Sequence, residues 1–153
     1  MADAIKITTV ATAIAAISIS GVTVKDISAI PEAVNEQDCP MLAPRPDNFV
    51  SNLRVAEDTF GGPVAALKSC YYTLNYTFYY SPVAAGAGLF EKYDDMVTKA
   101  AAVLLALATT IIGGTVEHKV SGISVFGPVA DVTGTLFHGC QISIDVHDLM
   151  EAA

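Results

Sequence analysis

The stretch YYTLNYTFYY, residues 71–80, places five of the chain's six tyrosines and a phenylalanine within ten residues. Its period is two, as in a β-strand, where successive side chains point to opposite faces. One face would carry Cys70, Tyr72, Leu74, Tyr76, Phe78 and Tyr80; the other would carry Tyr71, Thr73, Asn75, Thr77 and Tyr79. Aromatics on both faces require cover on both. The sequence predicts only two helices, and one helical layer covers one face of a sheet. Tyr71 and Tyr79 are therefore expected on the open face, as candidate subunit contacts, because tyrosine buries a large apolar body and leaves a hydroxyl to pair.

The remaining elements follow from the same periodicity. Residues 3–16 predict a helix, with Ile7, Val10, Ile14 and Ile17 on one stripe. A strand is expected from Ile17 to Val24, bulged at Gly21. Residues 28–52 hold Pro31, Pro40, Pro44 and Pro46 and predict an extended arm or long loop. Met41, Leu42 and Phe49 within it need something to pack on. FGGP, residues 60–63, predicts a turn. A second helix is expected from Leu89 to Ile112, its stripe formed by Phe90, Tyr93, Val97, Ala100, Leu104, Leu107 and Ile111, ending at Gly113-Gly114. Thr115–Phe126 then reads as one strand or two short ones around Gly122, followed by strands at Val129–Val132 and Thr135–His147, the last with Cys140, Ile142, Ile144 and Val146 inward and Gln141, Ser143, Asp145 and His147 outward. The expected fold is one α+β domain over 1–153: a mostly antiparallel sheet of four to five strands, two helices on one face and the arm at about 28–52.

Composition narrows the function classes. Charged residues make up 16% and hydrophobic residues 52% of the chain, so part of the apolar surface is expected to be buried by partners. A net charge of −8 opposes binding to nucleic acid or an anionic membrane, both of which need clustered Lys and Arg. Cys39, Cys70 and Cys140 are scattered and odd in number, as expected of reduced thiols. The apolar run at 7–20 could pass for a leader, but Lys6 is offset by Asp3 and the run is rich in Thr and Ser, so a soluble helix is expected. The run at 100–112 is too short to span a bilayer.

Three arrangements could carry chemistry. DVTGT, residues 131–135, differs by one residue from the phosphorylated loop of P-type ATPases, but a strand follows at once; a hairpin turn explains Asp131 and Gly134 better. His138 and Cys140, with His118 or His147, have the residue types of a zinc site but fall short of its ligand geometry. Cys70 or Cys140 could act as a nucleophile beside a histidine, yet both occupy inward, apolar positions where a thiol is inert. No metal, cofactor or catalytic residue is expected.

The series GVTVKDISAIPEA, CPMLAPRPDNF, YTLNYTFYYSPVAAGAG, a helix, and FGPVADVTGTLFHGCQISIDV resembles small neck proteins of long-tailed bacteriophages, of the tail-terminator type. The similarity is one of element order, size and texture over nearly the whole chain. It implies a structural virion protein, assembled in the host cytoplasm into a homohexameric ring that caps the tail tube and meets the head connector around the DNA channel. Heterologous ring contacts would cover the second aromatic face. The arm, with Met41, Leu42 and Phe49, would reach a neighbour, and Asp145 would contribute to an acidic channel wall that DNA passes without sequence-specific binding. Another head–tail joining or tail-tube protein is the nearest alternative. A small cytosolic enzyme or ligand-binding domain using Cys140, His138 and Asp131 is the alternative of a different class.

Overall fold

The computed structural model describes residues 7–30, 33–59, 67–83, 92–110 and 117–151. Its elements are helix α1 (Ile7–Ala15), strands β1 (Thr23–Val24), β2 (Met41–Pro44), β3 (Val50–Thr59) and β4 (Leu67–Pro82), helix α2 (Tyr93–Thr109), and strands β5 (Glu117–Ala130) and β6 (Leu136–Glu151). Short helical turns lie at Ile27–Ala29 and Glu36–Asp38. The fold is α+β with a mostly antiparallel sheet. Among the described residues the sheet has six strands, more than the four to five expected.

β4 is the axis of the sheet. β6 runs antiparallel along one side of it over nearly its whole length, and β5 lies beyond β6. On the other side β2 pairs with Tyr76–Tyr79, and β3 pairs with residues 68–74. β2 and β3 are thus two halves of one edge, separated by the excursion Arg45–Phe49 opposite Asn75. β1 adds a short parallel pairing with β2.

The excursion is closed by Asn75 from both its backbone and its side chain. Its amide N–H donates to the Phe49 carbonyl (2.8 Å), and its carbonyl accepts from the Arg45 N–H (3.0 Å). Its side-chain Nδ2 donates to the Asn48 carbonyl (2.9 Å) and to Ser51 Oγ (3.0 Å), while Oδ1 accepts from Ser143 Oγ (2.9 Å) on β6. A buried amide that meets its partners so fully sets the edge on both sides of the gap. Phe49 then turns inward and packs edge-on against Tyr76, centroids 5.3 Å apart.

The first face of the sheet is dry. Cys70, Tyr72, Leu74, Tyr76 and Phe78 of β4 share one cluster with Cys140, Ile142, Ile144 and Val146 of β6. Val10, Ala11 and Ile14 of α1 and Ala100, Val103 and Leu107 of α2 belong to the same cluster. The acidic residues Asp94 and Asp95 in the first turn of α2 favour its positive N-terminal end. Where β6 crosses Phe78, Gly139 is required, since a Cβ there would run into the Phe78 carbonyl oxygen.

Several expectations are corrected. Met41–Pro44 is a strand, not free arm, and β3 extends through a stretch for which no strand is predicted. The strand expected over 17–24 shrinks to Thr23–Val24; Gly21, at φ 72°, sits in a tight turn in which Val22 N–H donates to Ile19. The buried stripe of α2 is Met96, Ala100, Val103 and Leu107, and Tyr93 is exposed. The two segments expected before the last turn are a single strand, β5, interrupted by register shifts near Gly122 and Gly127. FGGP, Phe90, Ile111 and Gly113-Gly114 lie outside the described residues.

Removal of the Asn75 side chain deletes three part-buried hydrogen bonds, so Asn75→Ala is expected to lower the unfolding free energy by about 2–4 kcal/mol. Urea denaturation should show that loss, against a change within about 0.5 kcal/mol for the exposed Thr98→Ala.

Candidate functional site: the second face of the sheet

Strand pairing arranges the second face in rows. Arg54, Tyr71, His147 and Glu117 stand in one row across β3, β4, β6 and β5. The next holds Ser51, Thr73, Asp145 and Lys119, and beyond it come Asn75 with Ser143, then Ala43 with Thr77, Gln141 and Ser124. Met41 and Tyr79 occupy the far end.

The far end is closed by the chain itself. Met41, Ala43, Tyr79, Val129 and Phe137 form a second apolar cluster, against which Val34 and Cys39 pack. Tyr79 meets Phe137 edge-on at 5.4 Å and is only 7% exposed, so the expectation of an open position for Tyr79 does not hold. The covering segment is tied down at the β5–β6 turn, where Val34 N–H donates to Asp131 Oδ2 (3.2 Å). Met41 and Leu42 are fully buried within the chain, in different clusters, and Phe49 is buried on Tyr76.

The near end is a groove of about 620 Å³ lined by Leu53, Arg54, Tyr71, Thr73, Glu117, Lys119, Asp145 and His147, among others. Tyr71 is sandwiched there. His147 stacks on one side, with ring centroids 4.5 Å apart and planes 11° apart, and the Arg54 guanidinium lies 4.9 Å from the Tyr71 ring centroid. Such stacking fixes side chains that would otherwise sample many rotamers. His147 Nε2 pairs with Ser69 Oγ (3.0 Å), and Thr73 Oγ1 donates to Asp145 (2.8 Å). Asp145, expected on a channel wall, is thus half-buried and held by its own sheet. Arg54 and Lys119 have no ion-pair partner among the described residues.

The groups of the catalytic alternative are buried, His138 and Cys140 in β6 and Asp131 in the turn before it. Asp131 organises its turn: Oδ1 accepts from Thr133 N–H (3.0 Å), Thr133 Oγ1 (2.6 Å) and Thr135 N–H (2.9 Å). Burial alone would raise its pKa, but the Thr133 hydroxyl and the amides of Val34, Thr135 and Thr133 outweigh it and hold the carboxyl below its ordinary value. Gly134 supplies the positive φ, 87°, that the turn needs. Cys140 is fully buried, and burial pushes its thiol up to about 12; the Cys70 thiol is also raised, first by burial and then by Asp148. His138 is buried, whereas His118 pairs with the Leu107 carbonyl of α2 and His147 lies on the second face. Among the described residues no group of three or more His, Cys, Asp or Glu is placed to hold a metal. No helix among them is long and apolar enough to cross a membrane.

The sequence points to Tyr71 and Asp145 on this face, and to His147 only as a possible zinc ligand, but not to their neighbours Arg54 and Lys119. Arg54 could not be placed because its strand was not legible; His147 was assigned an outward position, and Glu117 and Lys119 differ from it only in strand. The sequence matches no model of a known family and no curated protein.

Because Asp131 has a lowered pKa in the folded chain, its contribution is present above the pKa of an unfolded aspartate and is lost as pH falls below it. Asp131→Ala is expected to be about 1–3 kcal/mol less stable than the parent at pH 7. Thermal unfolding should show that gap narrowing once the pH drops below about 4.

Proposed function

We propose that this chain is a structural, non-enzymatic assembly protein of the tail-terminator type, which forms a ring around a DNA channel, closes the end of a tail tube and presents its other side to a head connector. The observation that carries the reading is the half-covered second face. One end is sealed by residues 33–39, and the other offers an Arg54–Tyr71–His147 stack beside Thr73, Asp145, Lys119 and Glu117. Arginine and tyrosine are the residues most enriched at the energetic centres of protein interfaces. Their rotamers are already fixed here, so little ordering entropy remains to be lost on docking.

The buried thiols support the non-enzymatic side of the reading. A Cys140 held near 12 carries almost no thiolate at neutral pH, and Asp131 spends its lone pairs on its own turn and on Val34. The surplus of acidic over basic residues, 16 against 8, suits a wall that phosphate slides past. The likeness in element order to tail terminators supplies the six-fold ring and the position at the end of the tube. Both remain part of the proposal, as do a virion location and a tail-tube or connector partner.

Tyr71 is the residue on which the reading turns. In light scattering the parent chain is expected to show a multiple of its 16.0 kDa mass. Tyr71→Asp is expected to show the single-chain mass with an unchanged circular dichroism spectrum. An unchanged assembly in that variant would remove this face from the contact.

A further inference from the structure

The far end of the second face is buried by a segment that is itself poorly buried. Met41, Ala43, Tyr79, Val129 and Phe137 lie beneath residues 33–39, none of them more than 7% exposed. In the covering segment Ala33, Asn35 and Gln37 are exposed, and Val34 and Cys39 are half-buried. The cover of the first face is different in kind. There α1 contributes Val10, Ala11 and Ile14, and α2 contributes Met96, Ala100, Val103 and Leu107, all at 1% exposure or less.

The hydrogen bonds of the segment fall into two sets. Asp38 N–H and the Cys39 thiol both donate to the Asn35 carbonyl (3.0 and 3.6 Å), so the helical turn at Glu36–Asp38 closes on itself. Val34 N–H instead reaches across to Asp131 Oδ2 (3.2 Å), while Oδ1 serves Thr133 and Thr135 of the β5–β6 turn. The chain on either side is held separately. The Pro40 carbonyl accepts from Thr23 N–H of β1 (3.0 Å), and Asp26 accepts from Ile27 N–H (2.7 Å) and from Thr12 of α1 (3.2 Å). Displacing the segment therefore breaks the Val34–Asp131 bond and the packing of Val34 and Cys39. It leaves the Asp131 turn, β2 and α1 as they are.

We propose that residues 33–39 form a flap, latched by Asp131 Oδ2, that opens from the second face while the sheet stays folded. Segments with few buried apolar groups open locally at a smaller cost than the whole fold, and functional lids are drawn from them. The flap swings about Pro40, whose carbonyl is fixed to β1. Opening bares a row of apolar side chains of the kind that a folded chain otherwise keeps covered, so the latch sets when that surface is available. The flap lies at the far end of the face and operates whether or not the near end makes a subunit contact.

Thiol labelling under native conditions separates flap opening from unfolding. In a chain carrying Cys39→Ser and Ala43→Cys, the introduced thiol lies beneath the flap, and the fully buried Cys140 reports on unfolding. Iodoacetamide should modify position 43 about a hundredfold faster than Cys140, because local opening outpaces global opening. Adding Asp131→Asn keeps an acceptor for the turn but sets an NH2 group against the Val34 N–H. That change should raise the rate at position 43 by about tenfold more, the loss of one hydrogen bond to a charged group. Circular dichroism checks the fold of each variant. Amide hydrogen exchange of the unmodified chain gives a second reading, in which Val34 should exchange well ahead of Asn75, whose N–H is bonded to Phe49. Position 43 reacting at the pace of Cys140, or Val34 exchanging at the pace of Asn75, would show that the segment leaves the face only when the chain unfolds, and would overturn the flap. A rate at position 43 unmoved by Asp131→Asn would remove Asp131 as the latch and overturn the proposal as well.

Discussion

Asn75 is the residue on which the sheet depends. It sits at mid-strand in β4, opposite a gap in the neighbouring edge; four hydrogen bonds from its backbone and side chain hold the chain around that gap, and a fifth ties it to Ser143 of β6. Upstream, β2 is thereby placed so that Met41 and Ala43 join the cluster around Tyr79. Downstream, β3 is brought into the register that sets Arg54 opposite Tyr71. Between them Phe49 turns into the core and Arg45 turns out to pair with Gln141 and Asp47. Without those bonds the edge would have no fixed register, and the composition of the second face would change with it.

The two faces solve different problems. The first is apolar from Phe78 to Tyr72 and is shared with both helices, with the buried Asp148 at the Cys70 end. The second is divided. Residues 33–39 seal its far end, anchored by Asp131, so the β5–β6 turn and the covering segment act as one unit. The near end remains open, with Thr73 paired to Asp145 and His147 to Ser69 within the sheet. Register shifts interrupt β5 on one edge of the sheet and β3 on the other. Bulged outer strands resist edge-to-edge pairing, which favours the face over the edge as the route to assembly.

How far the sequence revealed this depended on local regularity. The alternation is unbroken from Cys70 to Phe78 of β4 and from Cys140 to Val146 of β6, and the inward set of each was readable residue by residue. The role of Asp131 was readable too, because the aspartate of Asp-Val-Thr-Gly-Thr has its bonding partners close by in sequence. β3 was hidden by its own irregularity. Asn52 adopts a positive φ of 55° and the register slips between Ser51 and Arg54, so Val50, Leu53 and Val55 show no period of two. β2 was hidden by prolines that read as extended arm, although Pro44 stands at the strand's last position, next to an excursion. The different fates of Tyr71 and Tyr79 could not be read at all. They share a face and a residue type, and only the return of residues 33–39 distinguishes them.

Placed together, these features make the proposed assembly a matter of geometry: one half of a face is completed within the chain, and the other half is left ordered but uncovered. The most direct measurement is electron microscopy of the purified parent chain in negative stain. Closed rings with rotational symmetry, or rings stacked into short tubes, are expected. Particles of single-chain size at every concentration, with no ring on added tail tubes, would contradict the reading.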